Sequence, residues 1–147
     1  MKKFRFSLER VQRVRKIEEA LRLAEKKRAE RALLAQQQKL NMFTIEHDAQ
    51  CESMEAAMLS TFRISERQTD WTYLQRLDRI IGYQAGVVKE YTLTNNEARK
   101  RFLLARQKSL GLEKLGNAQF ESWKKELIDL EQKIADDRPR QIDRNIK

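Results

Sequence analysis

From Trp71 to Ile134 the apolar positions of the chain return in alternating steps of three and four residues. One row runs Leu74, Ile81, Val88 and Phe102, and a second runs Leu77, Tyr91, Ala98, Ala105 and Leu112. No proline interrupts them. This spacing is the seam of a coiled coil, and it predicts one helix of roughly 100 Å. A helix that long is not the core of a small globule. It needs a partner helix along its length, and the chain supplies one before it.

The earlier helix opens after Phe4 and Phe6. Ser7 is placed to cap it, with Glu9 in its first turn and Phe6 and Val11 at the two staple positions. Val14, Ile17, Leu21 and Ala24 then form a 3-4-3 stripe. Charged residues fill the expected seam near Arg28, which predicts a stutter, and the pattern resumes at Leu33, Leu40, Phe43, Met54 and Met58. Helix 1 is expected over residues 8–60, about 80 Å long.

Periodicity fails over residues 60–70, which are expected to form the turn. Ser65 and Gln68 stand in capping-box spacing and Asp70 is a second candidate cap. A short connection makes the helices antiparallel neighbours. With the crossing near residue 66, Val88 should lie near Thr44, Phe102 near Glu30 and Trp123 near Glu9. Helix 2 is expected over residues 70–137. Asn95, Ser109 and Gly116 weaken its seam, which re-forms after a second stutter as Phe120, Trp123, Leu127, Leu130 and Ile134. Pro139 ends it, and residues 138–147 read as a basic tail. The expected fold is all-α: a long antiparallel two-helix coiled coil, one elongated domain over residues 1–147.

Composition agrees. In 147 residues, 36% are charged, and four Gly and one Pro leave few turns for short elements. The net charge of +9 admits nucleic acid, acidic lipid or acidic protein as partner. Its distribution is more telling. Residues 1–31 hold 12 basic and 5 acidic side chains, whereas residues 41–62 hold four acids and no Lys or Arg. The single cysteine, Cys51, cannot form an internal disulfide. No apolar run approaches a membrane span, and no signal sequence follows the basic start, so a cytoplasmic protein is expected.

Candidate catalytic chemistry is sparse. His47, Cys51 and Glu55 share one helix face, but three ligands along one helix rarely converge on one ion. There is no phosphate loop and no nucleophile beside a base, so no enzyme activity and no cofactor is expected. The basic stretches could neutralise phosphates, yet they lack interleaved aromatics and any reading motif. Nucleic acid is therefore disfavoured as a partner.

Two surface features stand out instead. Tyr73, Leu77, Ile80 and Gln84 form a second stripe, rotated from the Leu74–Ile81 row, and Met42 and Phe43 add apolar surface on helix 1. Two helices alone do not bury both stripes in a narrow seam, so the surplus reads as a docking surface, with a wider seam or a homo-oligomer contact as the alternatives. The other feature is the basic end of helix 1, suited to an acidic or phosphate-rich opening.

The opening Phe4-Arg5-Phe6-Ser7-Leu8-Glu9-Arg10-Val11, continued by Arg13-Val14-Arg15-Lys16-Ile17-Glu18-Glu19, resembles the start of the FliJ family of flagellar type III export proteins. Tyr73 to Ile81 is similar to that family's second helix. Glu113-Lys114-Leu115 and Trp123-Lys124-Lys125-Glu126-Leu127 are similar to its C-terminal part.

The resemblance implies a coiled coil like the stalk of rotary ATPases. It would sit in the pore of the hexameric flagellar export ATPase, promote its activity, contact the cytoplasmic domain of the export gate and handle export chaperones. Its place would be the cytoplasmic face of the inner membrane. Gate contact would fall on Tyr73, Leu77, Ile80 and Gln84, joined by Met42 and Phe43. Pore contact would fall on Arg10, Arg13, Arg15, Lys16, Trp123, Lys124 and Lys125. The alternatives are an adaptor that homo-oligomerises and a basic coiled coil associated with nucleic acid.

Overall fold

Helix α1 runs from Glu9 to Met58 and α2 from Ile64 to Asp136 in a computed structural model that describes residues 3–60 and 63–137. The fold is an all-α helical hairpin. The basic tail read at residues 138–147 lies outside the described residues.

The reversal is tighter than the pattern suggests. α2 begins at Ile64 rather than near residue 70, so Ser65, Gln68 and Asp70 are helical instead of capping it. None of these residues is a helix breaker, and each finds another use. Asp70 accepts a hydrogen bond from Gln50 Nε2 (3.3 Å). The end of α1 tightens, with Leu59 N–H donating to Ala56 O and Ser60 N–H to Ala57 O, both 3.3 Å. The Arg67 guanidinium donates to the Met54 carbonyl (2.8 Å) and so ties the start of α2 to the last turns of α1.

An earlier crossing shifts the pairings. Gln84 meets Gln36, Phe102 lies beneath Lys26 rather than beside Glu30, and Trp123 meets Phe4 rather than Glu9.

The start of α1 also differs. The first i,i+4 bond runs from Gln12 N–H to the Leu8 carbonyl (2.9 Å), which puts the cap at Leu8 rather than Ser7. With the cap moved to Leu8, Phe6 and Val11 no longer hold the staple positions, and the Phe6 ring lies where a Cβ on Gly116 would be 3.5 Å away.

By its contacts the chain divides into two units, Ala20–Leu104 and Met1–Glu19 with Ala105–Lys147. In the first, α2 buries Leu74, Leu77, Gln84, Ala98 and Phe102. The α1 residues turned inward are Arg22, Lys26, Ala29, Leu33, Gln36, Leu40, Phe43, His47, Gln50 and Met54. Their steps of four and three never break, so the stutter expected near Arg28 is absent. The seam is polar at two layers. Gln84 Nε2 donates to the Gln36 carbonyl (3.1 Å) and side-chain oxygen (2.9 Å), and the Lys26 ammonium sits 5.2 Å from the Phe102 ring centre. Asn95 Oδ1 is buried with no partner among the described residues.

In the second unit, α2 buries Ala105 and Ser109, and Gln12, Arg15 and Glu19 of α1 are half-buried. The stripe read as the α1 seam is therefore a surface. Val14, Ile17 and Leu21 are 60%, 61% and 61% exposed, and Ala24 is exposed as well. The reason is phase. One continuous helix keeps its 3-4 register, so Arg15, Arg22 and Lys26 stand half-buried on its inward face, with the Lys26 ammonium over the Phe102 ring.

The α2 seam expected at Phe120 to Ile134 is also largely uncovered. Phe4 packs edge-on to Phe120 (5.3 Å between centroids) and against Trp123 (5.8 Å), and every residue from 128 to 137 is exposed.

Gly82, Gly86 and Gly111 lie in helix interior, and a Cβ added to any of them meets nothing within 4 Å. Replacing each with Ala should raise the unfolding free energy by about 0.5–1 kcal/mol, read as a higher urea midpoint at constant m-value. A lowered midpoint would mean that these positions are covered.

Candidate functional site

The surplus stripe of α2 divides between seam and surface. Leu77 (3% exposed) and Gln84 (7%) point into α1, and Gln84 is held there by Gln36. Tyr73 and Ile80 stand half-buried at the seam's edge. They line a shallow groove on α2 with Thr69, Thr72 and Arg76. Of the two α1 residues read with this stripe, Phe43 is a half-buried seam residue and Met42 projects outward. A partner laid on this face reaches Tyr73, Ile80 and Met42, but not Leu77 or Gln84.

The Tyr73 hydroxyl donates to the Glu46 carboxylate across the two helices. That bond, then burial, then the carboxylate's charge, hold the phenol above its ordinary pKa. The contact fixes the ring's direction, since the hydroxyl cannot follow another rotamer without losing its acceptor.

Sequence reasoning missed Tyr83, 76% exposed, and Ile45, 60% exposed. Tyr83 lies three residues beyond Ile80, and its place one step outside the 3-4 seam was the available signal.

The seven residues read as pore contacts all fall in the unit that contains both helix ends. Arg10, Lys16, Lys124 and Lys125 are exposed. Arg13 pairs with Glu9 (2.6 Å) and Arg15 with Glu18 (2.9 Å), so their charges are locally answered. Trp123 is half-buried between Phe4 and Phe120, whose ring stacks on it at 5.8 Å.

His47 turns Nε2 to Asp78 Oδ1 on α2 (3.0 Å) and Nδ1 toward Asp48 (3.5 Å), with Cys51 Sγ 3.9 Å away. The ring bridges the helices, and Glu55 on the same face is exposed. Among the described residues no group of three His, Cys, Asp or Glu is gathered as a metal would need.

The molecule is thus a coiled-coil hairpin that carries apolar and basic side chains on its outer faces. The model of the family described as Flagellar FliJ protein matches residues 4–142, and the chain belongs to that family. It is a flagellar export-associated protein, from a family of non-enzymatic export components. No curated protein and no solved structure matches it. Among the described residues no helix is long and apolar enough to cross a membrane.

The division between seam and surface has a direct test. Leu77→Ala should cost about 2–5 kcal/mol of unfolding free energy, because it empties a buried site. Tyr83→Ala should change it by no more than about 0.5 kcal/mol. Urea denaturation of the two variants checks both, and equal losses would contradict the assignment.

Proposed function

We propose that this protein is the stalk of the flagellar export ATPase. It binds the hexamer through the unit containing both helix ends, promotes hydrolysis, and couples the enzyme to the cytoplasmic domain of the export gate. The observation that carries this reading is family membership over residues 4–142. The exposed Arg10, Lys16, Lys124 and Lys125 support it, since they suit an acidic ring interior. One hairpin facing six like subunits makes different contacts with each. Only such differential contacts can bias subunit conformations.

Gate binding falls on Tyr73 and Ile80 with Met42. Leu77 and Gln84 act from beneath by holding α2 in place. Export chaperones are the third partner class, and the working location is the cytoplasmic face of the inner membrane through the export apparatus.

Two experiments test the reading. Arg10→Glu with Lys16→Glu and Lys124→Glu should reduce stimulation of the matching ATPase several-fold while helicity is kept. Full stimulation would count against pore binding. Tyr73→Ala with Ile80→Ala should weaken binding to the gate's cytoplasmic domain about tenfold, equivalent to about 1.4 kcal/mol. Unchanged affinity in a titration would sink the gate assignment.

A further inference from the structure

Two apolar strips in the unit Met1–Glu19 with Ala105–Lys147 are largely uncovered among the described residues. One is on α1, where Val14 and Ile17 are exposed with Val11 beside them. The other is the last stretch of α2, where Leu127 is half-buried and Leu130 and Ile134 are exposed. We propose that these strips are partners between two copies of this chain. The α2 end of one copy lies along α1 of the second, and the same contact is repeated in reverse.

Three observations carry this. The first is helix stability. Every residue from 128 to 137 is exposed, yet α2 stays helical to Asp136. This end of the 73-residue α2 has no packed face among the described residues, and helices in proteins draw most of their stability from such a face. A partner along Leu127, Leu130 and Ile134 supplies it.

The second is spacing. Val14 to Ile17 and Leu127 to Leu130 are the same three-residue step on helices of the same pitch, which is the spacing a parallel pair of the two strips needs.

The third is charge. Residues 10–17 carry four basic side chains and no acid. Residues 121–137 carry six acids and three bases. Glu18 and Glu9 already answer Arg15 and Arg13, which leaves Arg10 and Lys16 unpaired among the described residues. Glu126, Asp129 and Glu131 on the α2 end are equally without an ion pair there. Strips of opposite sign attract each other and repel their own kind.

These features also decide between a second copy and another amphipathic helix. A foreign helix covers one strip and leaves the other in water. A second copy brings both, and a two-fold arrangement buries all four strips and closes. The contact competes with any other occupant of this end. Its test uses the chain alone, so failure of the stalk reading would not alter the result.

Sedimentation equilibrium of the full chain at low salt should give twice the monomer mass, with the dimer weakening as salt rises. Leu130→Glu with Ile134→Glu, and separately Val14→Glu with Ile17→Glu, should each raise the dissociation constant more than tenfold. Helicity should persist, because all four side chains are exposed in the single chain. A monomer at every concentration overturns the proposal. So does a dimer that survives the Val14 and Ile17 changes, which would mean the α2 ends pair with themselves.

Crosslinking provides a readout that needs no disruptive change. In a Cys51→Ser background, chains carrying Ile17→Cys and chains carrying Leu130→Cys are mixed and oxidised. Disulfides between the two kinds should predominate. Predominance of like-with-like products overturns the proposal.

Discussion

The phase of the inter-helix seam is the constraint on which the rest of this structure depends. α1 is one helix from Glu9 to Met58, and its inward face is set where its side chains are most apolar, at Leu33, Leu40, Phe43 and Met54. Once set, the alternation of three and four cannot change without a stutter, and none occurs. Residues at the same phase nearer the N-terminus face inward whatever their polarity. That is why Arg15, Arg22 and Lys26 are partly covered while Val14, Ile17 and Leu21 are not. Shifting the phase would bury three aliphatic side chains, roughly 1.5–3 kcal/mol each when fully covered. It would also require a break in the α1 hydrogen-bond ladder and loss of the stems that now fill the seam. The observed structure keeps the ladder.

The polar layers follow from the same rule. Gln84 occupies a position that the repeat reserves for an apolar residue, and it stays there because Gln36 offers two acceptors. A paired Gln layer holds one register, since sliding either helix by a heptad separates donor from acceptor. Asn95 Oδ1 lacks such a partner among the described residues, and Ser109 is buried at 2% exposure. The seam therefore specifies its alignment at Gln84 and leaves weaker layers elsewhere.

Much of this was legible in the sequence. The two helices, the reversal between them and the α2 rows through Leu74, Leu77, Ala98, Phe102 and Ala105 follow from periodicity alone. The α1 face followed at Leu33, Leu40, Phe43 and Met54 but not nearer the N-terminus, where the stripe Val14, Ile17, Leu21 and Ala24 is out of phase with them and a helix without a stutter presents one phase only. The crossing point was misjudged for a related reason. Ser65 and Asp70 are good caps in isolation, yet each also tolerates helix interior, and the Asp70 contact with Gln50 takes up the carboxylate. The second α2 stripe was half legible as a surface. Tyr73, Leu77, Ile80 and Gln84 do share a face, but that face straddles the edge of the seam, and only burial separates Leu77 and Gln84 from the other two.

This division bears on how a coiled coil can carry function without a pocket. Tyr73 is oriented by Glu46 from the opposite helix, and Ile80 is set by its neighbours Leu77 and Gln84 in the seam. The outward residues are held by inward ones three or four positions away, as helix geometry requires. A change in the seam would thus alter the surface without touching it, whereas a change at Met42 or Tyr83 would alter the surface alone. Seam register is the property through which one face of the hairpin can affect another. Gln84, buried against Gln36 of α1, one turn from Ile80 and next in sequence to the outward Tyr83 of its own helix, is the residue where the inward and outward faces meet.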